Sequence, residues 1–214
     1  MNEEQAVLDF FSQEENLPLA LIAADHIDEI RQRLNNEFWE ALRERLDAWL
    51  SQQGLNWVSD LTRDRNSDDC FVGLHFKPQE EHRAFLIPFM EQQFMGKEYR
   101  IFFGLMWSSA PDAGQKSQPA IQNLISSLSD AGLSDSDTFL GYQWLPWHPR
   151  RRDFLLRFAN QRDELLADAM QPLQLILGEF GEQLAQANQA LNMPGSVSVS
   201  LDQLRSKLPS QAGQ

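Results

Sequence analysis

The chain has 214 residues, of which 42% are apolar and 23% charged, with a formal net charge of −13 and a single cysteine. That length suits one domain, the apolar share excludes wholesale disorder, and a lone thiol excludes an intrachain disulfide framework or an all-cysteine zinc site. A surface this anionic repels phosphate, so non-specific binding of the whole molecule to DNA or RNA is not expected.

The charge is uneven. Residues 1–60 hold 13 acids and 4 bases, residues 61–110 hold 7 and 6, and residues 111–214 hold 11 and 8. Docking to a basic partner protein or mimicry of nucleic acid would use that excess, and solubility alone would also account for it. No apolar run reaches the ~20 residues of a membrane span. Met1-Asn2-Glu3-Glu4 is acidic where a signal peptide is basic, so a cytoplasmic protein without a membrane segment is expected.

In chain order, Val7, Leu8, Phe10 and Phe11 predict a short helix within residues 3–15, punctuated by Asn16 and Pro18. Leu17 to Ala24 is apolar and is expected to run into the next helix or pack under it. From Asp25 to Gln53, Ile27, Ile30, Leu34, Phe38, Leu42, Leu46 and Trp49 recur every three or four residues, which predicts a long helix with one buried stripe. Asp25 is a candidate N-cap and Gly54 a candidate residue just past the C-terminal end.

The period then changes to two. Asn56–Thr62, Cys70–Lys77, Arg83–Met90 and Lys97–Trp107 read as strands. In the second, Cys70, Val72, Leu74 and Phe76 share one face and Phe71, Gly73 and His75 the other, while Pro88 demotes the end of the third to an edge or a bulge. A loop over Ser108–Gln118 leads to a helix opened by Pro119, then Ala131–Asp137 loops into a fifth strand, Phe139–Trp147. Asp153 is expected to cap a short helix, and a longer one follows through Leu191, kinked or split at Pro172. Residues 193–214, rich in Ser and Gln, are expected to be a mobile tail to a single domain over 1–192.

The sequence is thus α+β: a mostly antiparallel sheet of four or five strands flanked by a long N-terminal helix and C-terminal helices. It carries no glycine-rich phosphate loop and no G-x-S-x-G elbow. Cys70 follows Asp68 and Asp69, which disfavour a thiolate, so it reads as a structural cysteine. His75 and His82 flank a turn with Glu80 and Glu81, but their spacing matches no metal signature. No metal or cofactor is expected.

The segment from Trp144 to Arg152 is the candidate site. Trp144, Trp147, His148, Arg150, Arg151 and Arg152 place stacking surfaces beside guanidinium forks, which suit an anion or a partner protein. Equally, the arginines can pair with the acidic N-terminal helices and the tryptophans fill core gaps.

Six short motifs occur in order: Asn16-Leu17-Pro18-Leu19-Ala20, Phe38-Trp39-Glu40-Ala41-Leu42, Asn56-Trp57-Val58, Val72-Gly73-Leu74, Phe103-Gly104-Leu105 and Trp144-Leu145-Pro146-Trp147. In these, the chain resembles the non-catalytic C-terminal part of some bacterial proteins of the PD-(D/E)XK nuclease superfamily, over about residues 16–190. The superfamily's active site requires an Asp and then an acid-x-Lys on a following strand to hold Mg²⁺, whereas the nearest match here is His75-Phe76-Lys77. The resemblance therefore implies an accessory portion with no catalytic residue carried over. Three readings follow. The first is a non-enzymatic acidic protein-interaction module, an accessory or regulatory subunit of a nuclease or defence assembly. The second is a degenerate metal-dependent nuclease using Asp68, Asp69, His75, Lys77 and His82. The third is a nucleic-acid mimic presenting Glu37, Glu40, Glu44 and Asp47, although Arg43 and Arg45 interrupt that row.

Overall fold

The structure is a computed structural model that describes residues 2–61, 72–78, 85–96 and 98–192. Cys70, Asp68, Asp69, His82 and the expected tail 193–214 lie outside the described residues. The architecture is α+β, with five antiparallel strands in the order β1-β2-β3-β4-β5.

Three helices come first: α1 (Glu3–Phe11), α2 (Leu17–Asp25) and α3 (Ile27–Gln52). Pro18 lies in the first turn of α2, where its missing N–H is not needed. Asp25 ends α2 rather than capping α3; His26 is the shared boundary residue. The buried stripe of α3 begins only at Asn35 and runs through Phe38, Trp39, Ala41, Leu42, Leu46 and Leu50. Ile27 and Ile30, expected to belong to it, are exposed. Gly54 follows the helix with φ +64°, as a residue past a helix C-terminus often does.

The sheet is a meander: β1 (Trp57–Leu61), β2 (Val72–Pro78), β3 (Leu86–Met95), β4 (Glu98–Trp107) and, after two helices, β5 (Phe139–Trp144). Each strand pairs with its sequence neighbour. Pro88 corrects the expectation of an edge, because β3 is the central strand. It is tolerated because β2 pairs only as far as His75↔Phe89, so Pro88 lies just beyond the last β2 partner while Leu105 faces it from β4. The turn into β4 uses Gly96 at φ +69°, which lets β3 extend past Met90 to Met95.

Period-two alternation sorts the sheet into two faces. Val72, Leu74, Phe76, Leu86, Met90, Ile101, Phe103, Leu105 and Leu140 join the main core with the helices. Ile87, Phe89, Phe102 and Met106 form a second, smaller cluster, extended by Phe139, Tyr142 and Trp144.

The helical side is completed by α4 (Ala113–Lys116), α5 (Pro119–Asp130), α6 (Arg152–Asn160), α7 (Arg162–Gln174) and α8 (Gly181–Leu191). The loop over 108–118 thus contains one short helix, held by a reciprocal Asp112–Gln115 capping box. Asp153 does not cap α6; the cap residue is Arg151, and Asp153 sits in the first turn. Pro172 is accommodated inside α7, and the long helix divides after it through a π-helical turn at Leu175–Glu179. Phe38 packs edge-on against Phe154 and Phe158 of α6, at 5.0 and 5.9 Å between ring centroids. Trp39 donates its indole N–H to Gln92 Oε1 of β3 at 2.8 Å, so the largest side chain in the core is also satisfied.

Gly104 is needed where β4 and β5 come together, because a Cβ there would collide with the backbone of Gly141. Gly104→Ala is expected to lower stability by about 1–3 kcal/mol, since backbone cannot yield as a side chain does. Urea unfolding of the purified variant measures this, and an unchanged midpoint would contradict the packing described.

Candidate functional site

The Trp144–Arg152 segment is mostly turned to internal use. Trp144 ends β5 on the sheet face away from the helices, with its ring 4.7 Å from that of Phe102. The Arg100 guanidinium lies 4.9 Å from the Trp144 ring. Trp147 packs, partly buried, against the main core. The chain continues alongside β4 past the end of β5: Leu145 N–H donates to Ile101 O at 2.8 Å, and Ile101 N–H to Trp147 O at 3.3 Å.

Glu98 at the start of β4 gathers the next side chains. His148 Nδ1 lies 3.1 Å from its carboxylate, and Arg151 pairs with the same group. The Arg150 guanidinium lies 4.2 Å over the Tyr99 ring. Arg152 is exposed and has no charged partner among the described residues. The other arginines nearby are also engaged, Arg157 with Asp168 and Arg162 over the Phe158 ring. Hence none of the ion pairs seen for the basic cluster among the described residues reaches the acidic N-terminal helices. The cluster braces the segment onto β4, with partly exposed ion pairs of the kind that contribute at most ~1 kcal/mol each.

The residues of the metal reading are placed in part. His75 is buried on β2, 2% exposed, and its Nε2 meets the carboxylate of Glu91 from β3. Lys77 lies exposed two residues on. Among the described residues, no group of three His, Cys, Asp or Glu is disposed to hold a metal ion.

The acidic row on α3 is interrupted as the sequence implies. Arg33 bonds Glu37 at 3.0 Å and Arg43 approaches Asp47 at 3.6 Å, while Asp47 also accepts from Ser59 Oγ at 2.6 Å. Glu37, Glu40 and Glu44 line a shallow groove that Arg33 and Arg162 also border, so cations punctuate the surface a phosphate mimic would need.

The most conspicuous surface lies elsewhere, at the N-terminal end. No described side chain between Asn2 and Leu34 is buried. Leu19 is 63% exposed, Leu21 58% and Ile22 59%; Val7, Leu8, Phe10, Phe11, Leu17, Ile27 and Ile30 are exposed too. Soluble monomers seldom present a contiguous apolar patch beyond a few hundred Å², and larger ones mark interaction sites. The apolar run Leu17–Ala24 leads through His26 into α3, the first of the two expected arrangements, and none of its side chains is buried among the described residues. Its residues were visible in the sequence; what was not is that they would stay unburied. Residues 1–30 also contain eight acids and no Lys or Arg. This arm, α1, α2 and the first turns of α3, is the candidate docking element.

Among known proteins, no family model matches the chain, and no curated protein or solved structure matches it at a significant level. No helix among the described residues is long and apolar enough to cross a membrane.

Because no side chain of the arm is buried among the described residues, its large apolar residues are expected to be dispensable for folding. Leu19→Ala and Ile22→Ala should each change unfolding free energy by no more than about 0.5 kcal/mol. Leu42→Ala, in the core stripe of α3, should cost about 2–5 kcal/mol. Chemical denaturation of the three variants checks this; a large loss from the arm substitutions would mean the arm packs on the body.

Proposed function

We propose that the chain is a non-enzymatic, acidic protein-interaction module of the cytoplasm, acting as an accessory or regulatory subunit. The observation that carries this reading is the exposed apolar arm, projecting from a well-packed α+β body. Burying such side chains on a partner is favourable by roughly 25 cal/mol per Å² removed from water, which a free monomer forgoes. The resemblance to the accessory portion of nuclease-superfamily proteins supports a nuclease or defence assembly as the setting. The Trp144–Arg152 brace contributes an exposed cation without a charged partner among the described residues, Arg152, and two part-exposed rings, Trp144 and Trp147, as a secondary contact.

The test compares the tagged full chain with a form lacking residues 2–25, each expressed in the source cell and purified in parallel. A discrete partner chain, identified by mass spectrometry, is expected with the full chain and lost with the truncated one. Equal recovery from both forms would remove the arm from the account.

A further inference from the structure

Resting on the interaction-module reading, we infer that the arm inserts into an apolar groove on a different protein, one that encloses α2 and carries Lys or Arg at both of its mouths. Two independent features of α2 point to this.

The first is the distribution of apolar residues. Leu17, Pro18, Leu19, Ala20, Leu21, Ile22, Ala23 and Ala24 are consecutive and cover more than two helical turns, so α2 is apolar in every direction. A helix docked on a flat surface needs only one apolar stripe; a helix apolar all round needs an enclosing environment. Nothing among the described residues of this chain supplies it, since α2 has no buried residue.

The second is the charge at the two ends. Glu14 and Glu15 precede α2 and Asp25 ends it; all three are exposed, and none has a cationic partner among the described residues. His26, next to Asp25, already meets Glu29 at 2.9 Å. The two acidic ends are separated by the length of α2, about 14 Å at ~1.5 Å per residue. A complementary groove therefore has an apolar floor of that length and a basic residue at each end.

Charge also selects among occupants. A bilayer with anionic headgroups repels an arm with eight acids and no Lys or Arg, and it offers a single face to a helix apolar on all sides. A second copy brings a second acidic arm and a body of the same −13 chain, so docking between copies works against repulsion.

The experiment uses the full chain and two synthetic single-chain peptides, Leu/Lys and Leu/Glu, each folding as a three-helix bundle that leaves an open Leu-lined groove for a fourth helix, with Lys or Glu respectively at both mouths of the groove. In fluorescence anisotropy, the Leu/Lys peptide is expected to bind, with affinity falling as NaCl is raised, and the Leu/Glu peptide to bind at least tenfold more weakly, an order-of-magnitude expectation. Leu19→Gln with Ile22→Gln keeps net charge and helix propensity, so it tests the apolar floor separately from the bulk charge of the molecule; a loss of about tenfold or more is expected. Glu14→Gln with Glu15→Gln and Asp25→Asn should weaken binding and flatten its salt dependence. Equal affinity for both peptides, no Leu/Lys binding, or binding indifferent to Leu19→Gln with Ile22→Gln would each overturn the inference. So would a dimer in sedimentation equilibrium, or uptake by phosphatidylglycerol vesicles, that the same substitutions abolish. Those results leave the module reading standing, which falls if the tagged full chain recovers no partner from the source cell.

Discussion

The molecule turns on how α3 is held. Its C-terminal two-thirds is fixed in the core by Phe38, Trp39, Leu42, Leu46 and Leu50, and the Trp39 indole is tied to Gln92 in the central strand. Aromatic contacts with Phe154 and Phe158 lock the same stretch against α6. A helix anchored over several turns is stiff, so its first turns follow the direction the core sets. Ile27 and Ile30, ahead of that stretch, are exposed, as are the large apolar side chains of α1 and α2. Strong packing at one end of α3 is what leaves an apolar arm without cover at the other.

The sheet has a corresponding division of labour. One face is wholly committed to the helices. The other holds an aromatic cluster around Phe89 and Phe102, with the His75–Glu91 pair on adjacent strands. The segment after β5 continues along β4 by backbone bonds to Ile101 and side-chain contacts to Glu98 and Tyr99. A cluster of arginines and tryptophans in an acidic protein invites a functional reading; here most of it is consumed in fastening one strand end. Its contribution to recognition is confined to what remains accessible, chiefly Arg152.

The fold class, the two-faced strands and the long helix were legible from periodicity, because burial on one face writes its period into the sequence. Val72, Leu74 and Phe76 against Gly73 and His75 is the plainest case. The sequence points to caps at Asp25 and Asp153, but Asp25 is the last residue of α2, and Asp153 sits in the first turn of α6, where an acid is as favourable as at the cap. Pro88 points to an edge, yet it sits in the central strand, where the pairing with β2 has stopped although β2 itself runs on to Pro78, a tertiary fact with no local trace. The arm was missed for the opposite reason. Ile27 and Ile30 continue the period of Phe38 and Leu42 without a break, and a pattern reports that residues are suited to burial, not whether anything in the same chain covers them.

The central claim is that α1 and α2 stand clear of the body in the isolated chain. Hydrogen–deuterium exchange of the monomer, read segment by segment, addresses it directly. Amides from Leu17 to Ala24 are predicted to exchange rapidly, as in a helix held by no tertiary packing, while those from Phe38 to Leu50 exchange only through global opening. Comparable protection in both stretches would show that the arm is buried within the molecule, and the account built on its exposure would be wrong.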